Sequence, residues 1–336
     1  MRISYFDFLR CIAIIMVVFI HCFGFCYTYP DVTLPVIFVR NLMNIAVPLF
    51  LAISGYFLAS KQMEDGGYVR FLKKQIPRVY IPVLFCSLYY VCRDLTYGFS
   101  LNPFIKLFSC YYTIYYFIAV IIQCYLLLWF LKKHTSLISL IILSIAGFIW
   151  WGLNSYLFVI HMGKNLPFII YAGNFIPWGV FFVEGLYFGL NKNNGKSIKI
   201  GTVIFATLLF LALSIFESVF IMDQTLTPQG LGQKASIFGF NAFFCILALR
   251  NETQNFFLRF ERSKIYQLLC VMGRYSFGIY LIHFFVLSSL AHFKGYIASP
   301  AIKWILGSLV VLFISFALLA ICKKISPKIT RILLGV

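Results

Sequence analysis

The sequence contains little charge. Of its 336 residues, 11% are Asp, Glu, Lys or Arg, whereas 62% are hydrophobic. Soluble domains contain about a quarter charged residues and about half apolar ones, so this composition excludes an ordinary soluble domain. Apolar runs of about 20 residues, which is enough to cross a bilayer, recur from end to end. The composition therefore predicts a helical membrane protein, and no stretch is typical of a separate soluble domain.

Several familiar motifs are also missing. The chain contains no HExxH, Walker loop, GxGxxG or metal-ligand spacing, so no metal site is predicted. Its ten cysteines form no CxxC pair, and most lie in apolar runs, where free cysteine behaves as a small hydrophobe. No internal repeat is visible, although inverted repeats are common in transporters. The ionisable residues inside the apolar runs are therefore the main candidates for a functional site.

The formal net charge of +18 does not indicate a nucleic-acid ligand, because the basic residues lie in short loops between apolar runs. These loops alternate between strongly and weakly basic. The strongly basic ones include Arg70, Lys73, Lys74, Arg78, Lys132, Lys133, Arg250, Arg259, Arg262, Lys323 and Lys324. Since loops rich in Lys and Arg stay in the cytoplasm, both termini are predicted to be cytoplasmic, which requires an even number of spans.

Hydropathy predicts ten spans, in agreement with that even number. They are Phe8–Tyr27, Val36–Ala59, Val79–Leu95, Tyr112–Leu131, Leu137–Leu157, Phe175–Leu190, Ile200–Ile221, Leu231–Leu249, Leu268–His292 and Ala301–Cys322. The predicted fold class is all-α: a polytopic integral membrane protein with about ten transmembrane helices, forming one domain over residues 1–336.

The first span contains Asp7, Arg10 and His21. Arg10 and His21 are eleven residues apart, close to three helical turns, so both project from one face with a rise of about 16 Å between them. Asp7 lies one turn before Arg10, which suits an ion pair. Histidine can accept a proton from a hydroxyl group, as acyl transfer to an alcohol requires. The alternative is a neutral histidine that only hydrogen-bonds between helices, and the face shared with Arg10 favours the functional interpretation.

Other ionisable residues allow more than one interpretation. Arg10 with Lys73, Lys74 and Arg78 could bind a phosphorylated cytosolic ligand, but inner-loop positive charges also set topology in every membrane protein. In the ninth span Tyr280 and His283 are one turn apart and can share a face, either for function or as packing anchors.

Two acids lie alone in later spans. Glu184, in the sixth span, and Glu217, in the seventh, could each orient an imidazole, bind a sugar hydroxyl or pair with a neighbouring helix.

Five segments together resemble the membrane acyltransferase family three, in the family's order and over the full length. They are Phe6-Asp-Phe-Leu-Arg10 followed by His21; Val47 to Tyr56, ending in Ser-Gly-aromatic; the basic loop Phe71 to Arg78, followed by Pro82; Tyr115-Tyr-Phe through Gln123 and Tyr125; and Tyr275-Ser276 through Tyr280-Leu-Ile-His283. The basic loop departs from the family's Arg-x-x-Arg pattern, because lysines and Gln75 occupy much of it.

The resemblance implies transfer of an acyl group, usually acetyl, from cytosolic acyl-coenzyme A as a co-substrate to a hydroxyl of a cell-surface glycan or its lipid-linked precursor. It places the protein in the bacterial plasma membrane. His21 would be general base or transient acyl carrier, with Arg10 and Asp7 supporting it.

The same resemblance suggests binding roles for further residues. Coenzyme A phosphates would bind to Arg10, Lys73, Lys74 and Arg78. Ser54 and Tyr280 would line the path of the donor. Glu184, Tyr280 and His283 are the candidates for contact with the acceptor.

The alternative from another functional class is a transporter or flippase for a polysaccharide or a lipid-linked sugar, with Arg10 and His21 lining its path. A third is a receptor-like scaffold, which would leave costly intramembrane Arg and His residues without a role. An enzyme should release free coenzyme A, whereas a transporter should move its substrate without acyl-coenzyme A.

Overall fold

The computed structural model describes residues 3–61, 66–98, 100–112, 114–191, 199–290 and 299–336, and over these ranges it is helical, without strands. The helices are α1 (Ser4–Cys26), α2 (Leu34–Met43), α3 (Ala46–Ala59), α4 (Gly67–Leu95), α5 (Asn102–Ser109), α6 (Tyr116–His134), α7 (Leu137–Gly152), α8 (Phe168–Tyr171), α9 (Gly179–Leu190), α10 (Ile200–Thr225), α11 (Ala235–Leu249), α12 (Asn251–Leu258), α13 (Lys264–Arg274), α14 (Ser276–Leu290), α15 (Pro300–Ile325) and α16 (Pro327–Leu333). A π-helix over Leu153–His161 extends α7, and 3-10 turns lie at Tyr29–Asp31 and Pro228–Leu231.

Seven segments of the described chain are long and apolar enough to cross a membrane, and the bent pair α13 and α14 would make an eighth. The seven are Ser4–Cys26, Leu34–Ala59, Tyr116–His134, Leu137–His161, Ile200–Thr225, Pro228–Leu249 and Pro300–Ile325. The all-helical membrane architecture is therefore confirmed. The count of ten spans and the cytoplasmic termini stay predictions, and His292, the predicted end of the ninth span, lies outside the described residues.

The basic segment predicted as an inner loop is helical instead. Helix α4 begins at Gly67, twelve residues before the predicted span, so Lys73, Lys74 and Arg78 lie on its first turns. Gly66 precedes the helix with φ +72°, a left-handed conformation that glycine adopts at little cost. Lys and Arg are themselves good helix formers, so the basic stretch continues into the apolar one without a break.

Two predicted spans are interrupted. A turn at Asn44 and Ile45 separates α2 from α3, and α13 meets α14 at Tyr275 with a bend of 74°. At that bend the Tyr275 N–H donates to the carbonyl of Met272 at 2.9 Å, a tight turn in place of the α-helical bond. The bend follows Gly273, whose Cα lies directly against the backbone of α1 at Asp7.

Helix α9 is only 12 residues long, about 18 Å, and cannot cross a hydrocarbon core of about 30 Å alone. The predicted sixth span begins at Phe175, but the helix begins at Gly179. The preceding segment is not helical, and side chains satisfy its carbonyls. Gly173 accepts hydrogen bonds from the Tyr111 hydroxyl and the Gln123 amide, both at 2.8 Å. Irregular backbone in a membrane protein is tolerated where protein groups satisfy it in this way.

Helices α3 and α9 pack with their backbones in close contact. A methyl group on Gly55 would collide with the Phe182 carbonyl oxygen, and one on Gly185 would collide with the Ala52 carbonyl oxygen. Small residues permit such approaches between membrane helices, where van der Waals packing replaces the hydrophobic driving force.

We predict that Gly55→Ala destabilises the protein by about 1–3 kcal/mol, because the backbones must separate to admit the methyl group. Gly307→Ala is the matched control, since no atom lies within 4 Å of the added carbon on α15. It should be neutral or stabilising by up to about 1 kcal/mol. The measurement is thermal unfolding of both variants in one detergent. Equal melting temperatures for the two would contradict the close α3–α9 contact.

Candidate functional site

Helix α1 carries three of the predicted site residues. Arg10 Nη1 lies 3.2 Å from Asp7 Oδ1, in an ion pair between residues about one helical turn apart. The Asp7 side chain is nearly buried at 6% exposure, whereas that of Arg10 is 31% exposed. The Arg10 guanidinium also lies 5.2 Å from the centre of the Phe57 ring. Asp7 therefore holds the guanidinium at the N-terminal end of α1 with one side still accessible.

A cavity of about 160 Å³, the Arg10 cavity, opens beside that guanidinium. Its described lining residues are Arg10, Phe50, Ser54, Val79, Phe117, Ile118, Ile121, Tyr125, Ser276, Phe277 and Tyr280. Three of the predicted binding residues thus meet in one place: Arg10, Ser54 and Tyr280. The Ser54 hydroxyl donates to the Phe50 carbonyl at 2.7 Å, so its oxygen can still accept a hydrogen bond from a ligand.

The basic residues of α4 differ in their distance from this cavity. Val79 lines it, and Arg78 interacts electrostatically with Tyr125, another lining residue. Lys73 and Lys74 are exposed on earlier turns and are not among the described lining residues. Arg78 is exposed and is not a described lining residue either, but it directly precedes Val79, whereas the two lysines lie earlier on α4.

His21 lies beside His283, the histidine of the ninth predicted span. Their ring centres are 5.4 Å apart, and the ring centre of Tyr280 lies 6.3 Å from that of His283. His283 is fully buried, and its Nδ1 lies 3.0 and 2.9 Å from the carbonyl oxygens of Ile279 and Tyr280. Carbonyl oxygens only accept, so Nδ1 carries the hydrogen and Nε2 keeps a lone pair. Within the described residues that Nε2 has no hydrogen-bond partner.

Two hydrogen bonds connect α14 to the residues at the start of α6. The Tyr280 hydroxyl donates to the Ile114 carbonyl at 2.6 Å, and the Tyr115 hydroxyl donates to the Leu281 carbonyl at 2.7 Å. Both hydroxyls are buried. These bonds tie the start of α6 to the segment of α14 that carries His283.

A second and larger cavity, the Arg40 cavity, lies at the C-terminal end of α1 and has a volume of about 620 Å³. Its described lining residues are Ile20, Phe23, Gly24, Tyr27, Arg40, Asn154, Ser155, Val159, Asn165, Leu166, Tyr171, Ile221, Pro228, Gln229, Leu231, Gly232 and Gln233. Ile20, Phe23 and Gly24 flank His21 on α1. His21 is not itself a described lining residue of either cavity, but it lies on the stretch of α1 that lines the Arg40 cavity. Among the described residues α1 is the one helix that lines both cavities.

Arg40 was not a predicted site residue. Its signal in the sequence is an arginine inside the apolar run Val36–Ala59, a position that is rare unless functional. Glu184, which was predicted to contact substrate, is buried in α9 and lines neither cavity in the described part of the chain. Its role stays a prediction.

The arrangement suits proton transfer or nucleophilic chemistry by an imidazole. His21 is partly buried on α1, a second histidine is adjacent, and α1 lines one cavity near each of its ends. The described residues contain no group of three or more His, Cys, Asp or Glu side chains that could hold a metal ion.

Comparison with known proteins adds two matches. The sequence profile of acyltransferase family 3, an acyltransferase domain, matches residues 3–321. A serine/alanine racemase of Enterococcus gallinarum is 29% identical over 165 residues, which cover 44% of this chain and 23% of the racemase. The match thus spans less than a quarter of that relative's length. No solved structure matches significantly.

We predict that Tyr115→Phe and Tyr280→Phe each destabilise the protein by about 1 kcal/mol, because each removes a buried hydrogen bond between α6 and α14. Tyr97→Phe is the control, since Tyr97 is 86% exposed. Thermal unfolding in detergent provides the comparison. If all three variants melted together, the hydroxyls would not be fixing α14.

Proposed function

The chain belongs to acyltransferase family 3, and from this membership we propose that it moves an acetyl group from cytosolic acetyl-coenzyme A to a hydroxyl of a cell-surface glycan or its lipid-linked precursor. The observation that carries the proposal is the adjacent pair His21 and His283 on α1 and α14, two helices that also line the Arg10 cavity, with the Arg40 cavity at the C-terminal end of α1. Two cavities near opposite ends of α1 allow a donor and an acceptor to reach the pair from different sides.

The donor enters the Arg10 cavity. Coenzyme A carries phosphates, which Arg10 and Arg78 bind through charge-assisted hydrogen bonds, with Lys73 and Lys74 adding positive potential along α4. Asp7 orients Arg10 for this contact. The pantetheine arm then runs between Ser54 and Tyr280 toward the histidine pair. The rise of about 16 Å from Arg10 to His21 is a span that an extended arm can cover.

Transfer proceeds at His21. The acceptor hydroxyl attacks the thioester carbonyl carbon, His21 takes the hydroxyl proton, and the carbon–sulfur bond breaks. The proton passes to the departing sulfur, so the products are an ester and free coenzyme A. If His21 instead carries the acyl group briefly on a ring nitrogen, the same products form in two steps.

His283 acts as a positioning residue for this step. With its hydrogen on Nδ1, its Nε2 can accept a hydrogen bond from one ring nitrogen of His21. The other nitrogen of His21 then faces the acceptor with its lone pair free. The third residue of a catalytic triad orients its histidine in the same way. The N-terminal end of α1 and the Arg10 cavity face the cytoplasm of a bacterial cell, and the Arg40 cavity faces outward.

We predict that His21→Ala lowers acetyl transfer by a factor of about 10²–10⁴, because the base is lost. The measurement uses reconstituted protein, radiolabelled acetyl-coenzyme A and a glycolipid extract of the native membrane, with label counted in the glycolipid. His134→Ala, at an exposed histidine on α6, is the control and should keep full transfer. Unchanged transfer by folded His21→Ala protein would remove the catalytic role. Sugar movement across the vesicle without any use of acetyl-coenzyme A would favour a transporter.

We predict that Arg10→Gln and Arg78→Gln each weaken binding of acetyl-coenzyme A by about tenfold, through loss of a phosphate contact worth about 1.4 kcal/mol. Arg93→Gln is the matched control, because it makes the same change near the other end of α4, about 22 Å along the helix from Arg78. Arg93 pairs with Asp94 there. This variant should bind as the unsubstituted protein does. Calorimetric titration of the three variants tests this. Equal loss in all three would mean that only the overall charge matters.

A further inference from the structure

The Arg40 cavity contains a guanidinium that no acid among the described residues pairs with. Arg40 lies about two turns into α2, within the candidate span Leu34–Ala59. Its Nη1 donates to the neutral amide oxygen of Asn44 at 2.9 Å, and its carbon lies 6.0 Å from the centre of the Phe23 ring. Its Nε is shielded from solvent and has no acceptor among the described residues. No ion pair found in those ranges includes Arg40.

Glu217, an acid on α10, bonds to groups other than Arg40. Glu217 accepts hydrogen bonds from the backbone N–H of Ser236 at 2.8 Å and from the Ser236 hydroxyl. Its negative charge also offsets Lys234, whose ammonium group donates to the Gly230 carbonyl at 2.8 Å. Within the described ranges Arg40 therefore keeps an unpaired positive charge inside the candidate span Leu34–Ala59. Such charges are costly, and they persist mainly where they serve a function.

The walls around Arg40 carry hydrogen-bonding groups that suit hydroxyls. The amides of Asn154, Asn165, Gln229 and Gln233 all line the cavity. The Gln229 amide donates to the Asn165 oxygen, and Gln233 bonds to Asn44 and Asn241, but each amide nitrogen has a second hydrogen and each oxygen a second lone pair for a ligand. The Asn154 side chain is 4% exposed, and its oxygen has no donor within the described chain. The volume of about 620 Å³ is typical of a small-ligand site. A polyhydroxylated ligand with one anionic group matches this combination.

We propose that the Arg40 cavity binds an anionic saccharide, with its carboxylate or phosphate on Arg40 and its hydroxyls on the surrounding amides. Resting on the proposed function, we assign this ligand as the acyl acceptor. Its hydroxyl reaches His21 past Ile20 and Gly24, which flank that histidine and line the cavity. The anionic group on Arg40 fixes the sugar, so one hydroxyl is presented to the imidazole.

Calorimetric titration of the purified full chain, without acyl-coenzyme A, tests the assignment. The probes are a disaccharide containing glucuronate, glucose 1-phosphate and a neutral disaccharide. We expect one or both anionic probes to bind at least about tenfold more tightly than the neutral one, because a guanidinium forms paired hydrogen bonds with either group. The two anionic probes distinguish a carboxylate from a phosphate as the recognised group.

Three variants identify the residue responsible. Arg40→Gln should remove the preference for the anionic probes, and Arg40→Lys should keep part of it. Gln229→Glu places a negative charge at an exposed position in the cavity wall, with little risk to folding, and should also weaken anionic binding. Arg93→Gln is the charge-matched control. Equal binding of neutral and anionic probes, an intact preference in Arg40→Gln, or no binding of any probe would overturn the assignment.

The anion site and the proposed reaction can fail separately. His21→Ala should bind the anionic probe as the unsubstituted protein does, because the anionic group rests on Arg40. Tight anionic binding by a protein that transfers no acetyl group would refute the proposed reaction and support the anion site. Transfer of acetyl to neutral glycans, without a preference for anionic probes, would support the proposed reaction and refute the anion site.

Discussion

The architecture depends on one constraint: inside a bilayer no water is present to satisfy a backbone carbonyl or N–H group. Unbroken helices meet this constraint by themselves. This chain breaks its helices in the middle of the protein, and side chains then supply the missing partners. Tyr111 and Gln123 bond to Gly173 before α9, and the Trp178 indole donates to the Ala172 carbonyl at 2.8 Å. Those bonds permit a helix of 12 residues to end within the protein and pack against α3.

The break at Tyr275 has the clearest effect on the site. A straight helix through residues 264–290 would pass α1 at a single crossing. The bend of 74° lets α13 contact the start of α1 through Gly273, while α14 follows α1 far enough for His283 to reach His21. The tyrosine hydrogen bonds to α6 hold that second segment in place. The histidine pair is thus a product of a broken helix.

Residue spacing predicted arrangements within one helix, but it did not predict contacts between two helices. The Asp7–Arg10 ion pair follows from a spacing of three residues, and the common face of Arg10 and His21 from a spacing of eleven. The proximity of His21 and His283 depends on how α14 lies against α1, which residue spacing does not encode. Hydropathy located the apolar runs but not their bends, because an apolar window averages over a turn such as Asn44 and Ile45. The basic stretch before Val79 was predicted as a loop because charge indicates topology more directly than it indicates helix boundaries.

Helix α1 is the only element that the two described cavities have in common. The remaining walls of the Arg10 cavity come from α3, α4, α6 and α14, whereas those of the Arg40 cavity come from α2, α8, α10, the π-helix and the connections near them. Mutations that reshape one cavity therefore need not disturb the other. Homologous proteins with this arrangement can change the ligand of one cavity by mutation while the other cavity stays unchanged. Divergence among them should accordingly concentrate on one half of the protein, with α1 as the fixed boundary.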